Sequence, residues 1–86
     1  MYTINNDVCL KEVDSGAVLL HLESGEYFSL NSLGLFIWQE ITKQQSKTEI
    51  LNAILEAYSV PEESARKDLE EFLHSLIKKE IISDTA

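Results

Sequence analysis

The sequence predicts an α+β fold in which a three-stranded antiparallel sheet is followed by three helices. Two observations carry this prediction: short alternating apolar stretches separated by turns come first, and segments with helical spacing of apolar residues follow. A chain of 86 residues buries only about 60–65% of the surface that its unfolded form exposes. We therefore expect residues 1–86 to form a single domain with one modest core.

The three predicted strands are Val8–Val13, Ala17–Leu22 and Glu26–Leu30. The connections Asp14–Gly16 and Glu23–Gly25 read as two similar turns, each ending on a glycine where a positive φ costs least. Two successive hairpins make a meander, so the third strand lies at an edge of the sheet. Its main-chain groups on that edge have no partner within the sheet.

Side-chain alternation predicts which residues of these strands share a face. Phe28 and Leu30 share one face of the third strand, and Tyr27 and Ser29 share the other. Tyr27 and Phe28 therefore point in opposite directions, and at most one of them is an ordinary core residue. On the first strand we expect Cys9 to be a small buried side chain.

The helices have recognisable starts. Asn31 is a good N-cap for a first helix that runs to about Thr42. Ser46–Glu49 has the pattern of a capping box at the start of the second helix, and Pro61 suits a first-turn position of the third. Gly34 weakens the first helix, which suggests a close approach by another element. Short connections between the helices favour a winged helix-turn-helix-like arrangement that covers one face of the sheet.

Both ends of the chain carry weaker signals. The segment before Val8 is polar, and we expect its start to be frayed. Ile81 and Ile82 either dock on the core or form a short extended piece, and the tail Ser83–Ala86 is expected to be loose.

Composition limits the classes of partner. The formal net charge of −8 opposes binding to nucleic-acid phosphates and anionic membranes. No apolar run approaches the length of a membrane span, and no secretion signal is recognisable, so we expect a cytoplasmic protein. A winged helix that reads DNA needs cations on its third helix, whereas this one carries Glu62, Glu63 and further acidic residues.

No catalytic or metal-binding constellation is recognisable. His21 and His74 lie on different elements, without cysteine or carboxylate at metal-ligand spacing. Nothing near Cys9 in the sequence favours a lowered pKa of its thiol. We therefore expect a protein without catalytic activity, metal or cofactor. The open edge of the third strand is the candidate working surface, and either a peptide or a second copy of the domain could pair with it.

The sequence also resembles a known family. The resemblance covers about Leu10 to Ile82 and is carried by residues 18–20, Gly25–Asn31, Gly34, Ile37, Trp38, the capping box, Ile50, Leu55 and Tyr58. These residues resemble the PqqD-like family, the peptide-recognition elements of ribosomally made, post-translationally modified peptides.

This resemblance implies a non-catalytic domain that binds the leader segment of a precursor peptide and delivers it to a processing enzyme. The leader would add as a strand to the third strand, with the third helix on its other side. We expect an aromatic or aliphatic leader side chain to enter between the third strand and the side of the third helix that carries Leu69, Leu73 and Ile77. The alternative for Leu69 and Leu73 is plain core packing. Carried onto this chain, the implied peptide-binding residues are Glu26, Tyr27, Phe28, Ser29, Leu30, Arg66, Leu69, Glu70, Leu73 and Ile77.

Within the family, the resemblance favours the stand-alone leader-binding protein of lasso-peptide biosynthesis, whose partners would be a leader peptidase and a cyclase. The quinone-cofactor branch more often has a Pro-Glu-Gly type turn where this chain has Glu23–Gly25. The alternatives are a peptide chaperone of a radical-SAM or quinone-cofactor pathway, and an interaction module that dimerises through the sheet edge.

Overall fold

The computed structural model describes residues 2–14 and 16–84. Its elements are, in chain order, β1 (Tyr2–Ile4), β2 (Val8–Val13), β3 (Gly16–His21), β4 (Tyr27–Leu30), α1 (Ser32–Thr42), α2 (Lys47–Ala57), α3 (Glu62–Lys78) and β5 (Ile82–Asp84). The α+β prediction is confirmed, because β2–β4 form the three-stranded antiparallel sheet and three helices follow it. The predicted third strand is β4, which begins at Tyr27 rather than Glu26.

The three-stranded sheet has the order β2-β3-β4. Its register pairs Ala17 with Leu30 and Leu19 with Phe28. Ala17, Leu19 and Leu30 are buried, and Phe28 packs against the core, so this face meets the helices. Phe28 and Leu30 share a face as the alternation predicted. Ser15, which the sequence places in the first turn, lies outside the described residues.

The first two helices begin where local sequence directs them to begin. Asn31 Oδ1 accepts a hydrogen bond of 2.8 Å from the Gly34 amide. The Ser46 hydroxyl accepts from the Glu49 amide, and the Glu49 carboxylate accepts from the Ser46 amide. These side chains satisfy backbone donors that a helix start leaves without intrahelical partners. None of the described helices is both long and apolar enough to cross a membrane.

The core lies between the sheet and the helices. The side chains that are almost completely inaccessible come from the central strand and from all three helices, namely Leu19, Ile37, Ile41, Ile50, Ile54, Leu69 and Leu76. Burial of each such side chain stabilises the fold by about 1.5–3 kcal/mol. Because α3 contributes Leu69 and Leu76, its position relative to the sheet is fixed by the core.

The ends of the chain are ordered by pairing with each other, which corrects the expectation of a frayed start and a loose tail. β1 and β5 form a second, two-stranded antiparallel sheet, in which Tyr2 pairs with Asp84. Tyr2, Ile81 and Ile82 are buried, so Ile81 and Ile82 both dock on the core and lead into an extended piece. The expectations for Met1, Thr85 and Ala86 fall outside the described residues.

The prediction that Cys9 is buried is wrong. Cys9 is exposed and pairs with Leu20 on the sheet face that the helices do not cover. β2 is an edge strand whose residues after Val8 are all exposed, so the helices leave most of it uncovered on both faces.

Gly16 provides a test of how β3 and β4 are held together. Its φ is +153°, and a Cβ built on it would lie 2.1 Å from the Leu30 carbonyl oxygen of β4. We expect Gly16→Ala to lower the free energy of unfolding by about 2 kcal/mol or more, because the main chain must shift. Urea unfolding followed by the fluorescence of Trp38 measures this.

The matched control is Gly25→Ala. Gly25 also has a positive φ, of +77°, but a Cβ there meets no atom within 4 Å. We expect a smaller loss of about 1 kcal/mol from the left-handed backbone alone. Equal losses at the two positions would contradict the close approach between Gly16 and Leu30.

Tyr2 makes the pairing of the chain ends sensitive to alkaline pH. Burial, and secondarily the charge of Asp84, raise the pKa of the Tyr2 phenol. The folded state therefore favours the protonated phenol. This contribution to stability is complete below the unfolded pKa of about 10 and is lost as pH rises through the folded pKa.

We expect the free energy of unfolding to fall less steeply above pH 10 in Tyr2→Phe than in the wild type. Tyr27→Phe, which removes an exposed phenol, is expected to retain the wild-type dependence. Identical pH profiles for Tyr2→Phe and the wild type would show that Tyr2 does not titrate as described.

Candidate functional site

The edge of β4 presents main-chain groups to solvent. β4 is the last strand of its sheet, and the His21 amide donates to the Glu26 carbonyl at 2.9 Å. In an antiparallel ladder, hydrogen-bonded and non-bonded pairs alternate. The inward groups are therefore those of Phe28 and Leu30, and the amides and carbonyls of Tyr27 and Ser29 point outward.

Side chains of β4 divide between two environments. Tyr27 is 73% exposed, on the sheet face away from the helices. Phe28 is half-buried on the opposite face and contacts Phe72 of α3 edge to face, with ring centroids 5.9 Å apart. The predicted opposition of Tyr27 and Phe28 is confirmed, and Phe28 is the member that meets the helical layer.

A groove runs beside β4 on the side that faces α3. We call it the β4 groove. It consists of two depressions of about 450 and 390 Å³ that share Phe28. Its lining comes from β4 and its flanks on one side, and from Phe72, Ser75, Lys78, Lys79 and Glu80 on the other. An extended chain paired with the outward groups of β4 would place alternate side chains in this groove.

Gly34 explains how Phe72 reaches this position. A Cβ on Gly34 would lie 3.3 Å from the Phe72 ring and 3.4 Å from Leu30. The absence of a side chain at Gly34 therefore lets the ring pack between α1 and β4. This is the close approach that the sequence suggested.

The two ends of the β4 groove differ in charge. At one end, Lys79 Nζ lies 4.0 Å from the Glu26 carboxylate, and Lys78 and Glu80 also line the groove there. At the other end the lining is uncharged and includes Asn31 and Phe72. Because Lys79 and Glu26 are both substantially exposed, the ion pair is weak and offers little resistance to displacement.

The predicted site residues occupy different surroundings. Glu26–Leu30 lie along the β4 groove, although the side chain of Tyr27 faces away from it. Leu69 is completely buried and Leu73 is 4% exposed, so both support α3 from the core side. Glu70, Leu73 and Ile77 line a separate depression, and Arg66 and Glu70 line a third.

The residues of α3 that line the β4 groove were not among the predicted ones. They are Phe72, Ser75 and Lys78, and the C-cap residue Lys79 lines the groove beside them. Residues 72, 75 and 79 follow the three-and-four spacing of one helix face. That spacing is visible in the sequence, but only the packed structure shows which face is turned toward β4.

The histidines are apart from this groove. His21 is buried, and its ring nitrogens contact the Ser24 amide and the Asn5 side chain at 3.4 and 3.3 Å. His74 lines the depression around Ile77. Within residues 2–14 and 16–84, no group of three or more His, Cys, Asp or Glu side chains is placed to hold a metal ion.

Comparison with known proteins gives consistent results. A sequence profile described as coenzyme PQQ synthesis protein D (PqqD) matches residues 16–82. The solved structure of TbiB1 in complex with the TbiA(beta) leader peptide is 36% identical, with a TM-score of 0.87 and 98% of each chain covered. Lasso peptide synthetase B1 complexed with the leader peptide has the same fold, at 24% identity and a TM-score of 0.87, covering 96% of this chain and 98% of that one.

No significant match is found among curated proteins. The profile nevertheless spans most of the chain, including β3, β4 and all three helices. The resemblance seen in the sequence is therefore confirmed, and the chain belongs to the PqqD family.

Proposed function

We propose that this domain binds the leader segment of a ribosomally synthesised precursor peptide as an additional strand on β4. The observation that carries the proposal is the open edge at Tyr27 and Ser29 beside the β4 groove. Main-chain pairing supplies affinity that tolerates different sequences, and the groove supplies selectivity through alternate side chains. The two similar structures, both described with a leader peptide, support this proposal.

The protein acts as a non-catalytic adaptor in a lasso-peptide pathway in the cytoplasm. It presents the bound leader to a processing enzyme, a leader peptidase or a cyclase. The turn Glu23–Gly25, which differs from the Pro-Glu-Gly type turn of the quinone-cofactor branch, supports this pathway over that alternative. No step of the proposed role requires a cofactor or a metal.

The side chains that select the leader come from both sides of the groove. Phe28 and Phe72 form its apolar centre, and Lys79 with Glu26 forms a charged end. A leader residue directly opposite Phe28 would point toward α3, because residues opposite each other in an antiparallel pair share a face. We therefore expect an aromatic or aliphatic leader side chain there.

Ser29→Pro tests strand addition directly. The substitution removes an outward amide while the inward bonds of Phe28 and Leu30 to β3 remain, and proline is tolerated at such edge positions. We expect roughly a tenfold or greater loss of affinity, since a guest carbonyl loses its donor. Fluorescence anisotropy with the labelled TbiA(beta) leader peptide measures it, and circular dichroism checks the fold.

Ser29→Ala is the control, because it alters the side chain and keeps the amide. We expect its affinity to stay within about twofold of the wild type. Equal binding by Ser29→Pro and Ser29→Ala would rule out pairing at this edge. Sedimentation with and without the leader tests the alternative role, since a stable dimer that ignores the peptide favours the interaction module.

A further inference from the structure

A second groove lies on another side of α3, around the side chain of Ile77. Two adjoining depressions of about 510 and 530 Å³ share Ile77 and Asp84. Ile77 is 39% exposed, whereas the other aliphatic residues of α3 are buried. The opposite side of this Ile77 groove is formed by the paired chain ends, including Ile4 and Ile82.

The Ile77 groove has an acidic rim. Glu70, Glu71, Glu80 and Asp84 line it, and Lys47 is the cation among the described lining residues. Lys47 is already paired with Glu70 at 2.9 Å. Within the described part of the chain, Glu71 and Glu80 form no ion pair with a lysine or arginine. An apolar surface bordered by the Glu71 and Glu80 carboxylates fits a segment with basic side chains around an apolar one.

The Ile77 groove is continuous with the β4 groove. Glu80 lines both of them, at the end of the β4 groove where Lys79 meets Glu26. A peptide that pairs with β4 and leaves past Glu26 therefore arrives at Glu80. From there it reaches Ile77 along the surface of α3 and β5.

We propose that the Ile77 groove binds the continuation of the same guest peptide, and that this continuation is basic with an apolar anchor. The inference rests on the proposed function, because it assumes a peptide on β4. The proposal also places Glu70, Leu73 and Ile77 in the peptide-binding surface. The sequence predicted them as peptide-binding residues, yet they do not line the β4 groove.

The first experiment tests the groove without a leader. The probe is a five-residue peptide, blocked at both ends, with a central leucine between pairs of lysines. Titrated into the ¹⁵N-labelled chain, it is expected to shift the amide resonances of His74, Ile77 and Ser83 and to leave those of Tyr27 and Ser29 in place. A peptide with glutamates in place of the lysines is expected to shift none of them.

Substitutions locate the contact. Ile77→Ser is expected to abolish the shifts, and Glu71→Gln to weaken binding roughly two- to fivefold, as expected for one exposed charge pair. The matched controls are Val60→Ser, another exposed aliphatic residue, and Glu56→Gln, an exposed acid on α2; both are expected to bind as the wild type does. Shifts that survive Ile77→Ser, or that never appear, overturn the site.

The second experiment tests the continuity with β4. The TbiA(beta) leader peptide is compared with versions that carry the basic segment fused at either end. We expect one fusion to bind about fivefold or more tighter than the unextended leader, and the gain to disappear in Ile77→Ser but not in Val60→Ser. A gain at neither end overturns the proposal. Unchanged leader binding by Ser29→Pro counts instead against the proposed function itself.

Discussion

Main-chain amides and carbonyls need hydrogen-bonding partners, and the outward groups of β4 have none within the sheet. Native edge strands are usually protected by charged side chains, proline or a bulge. β2, the other edge of the sheet, carries Lys11 and Glu12, whereas Tyr27–Leu30 contains neither charge nor proline. An edge without these protections is suited to pairing. The neighbouring α3 restricts that pairing, because a single extended chain fits the β4 groove more readily than a second sheet with its own packed layer.

One helix organises the surfaces on either side of it. Successive residues of a helix are rotated by 100°, so Leu69, Leu73 and Leu76 face the core while Phe72, Ser75 and Lys79 face β4. A third face carries Glu70, His74 and Ile77. Because the core side is completely buried, both outward faces are held in place before any peptide arrives. Such preorganisation lowers the entropic cost of binding, which a domain of this size has little surface to offset.

Local signals in the sequence were sufficient to predict β2–β4 and the three helices. They were not sufficient to predict how the chain ends pair or which side of α3 meets β4. The caps at Asn31 and Ser46 and the alternation in β3 and β4 act between residues close in sequence, so they could be predicted. The pairing of β1 with β5 joins two three-residue strands from opposite ends of the chain, and neither carries a recognisable pattern alone.

The site shows the same division between local and long-range information. The β4 side of the groove could be predicted because strand alternation fixes which face each residue occupies. The helix side depends on how α3 is rotated about its axis. The spacing of the apolar residues in α3 does not specify which side of the helix meets β4. Gly34 and Phe72 decide this through a contact between α1 and α3 that sequence spacing does not encode.

The small size of the edge has an energetic consequence for recognition. Tyr27 and Ser29 offer two amides and two carbonyls, and each net hydrogen bond contributes about 0.5–1.5 kcal/mol. Even if all were made, the total of roughly 2–6 kcal/mol falls short of the roughly 8 kcal/mol that a micromolar complex requires. Ordering a flexible peptide widens the gap. Tight binding therefore requires apolar contacts in the β4 groove and a peptide-binding surface longer than β4. A surface that continues from β4 to Ile77 meets this requirement better than an isolated strand edge does.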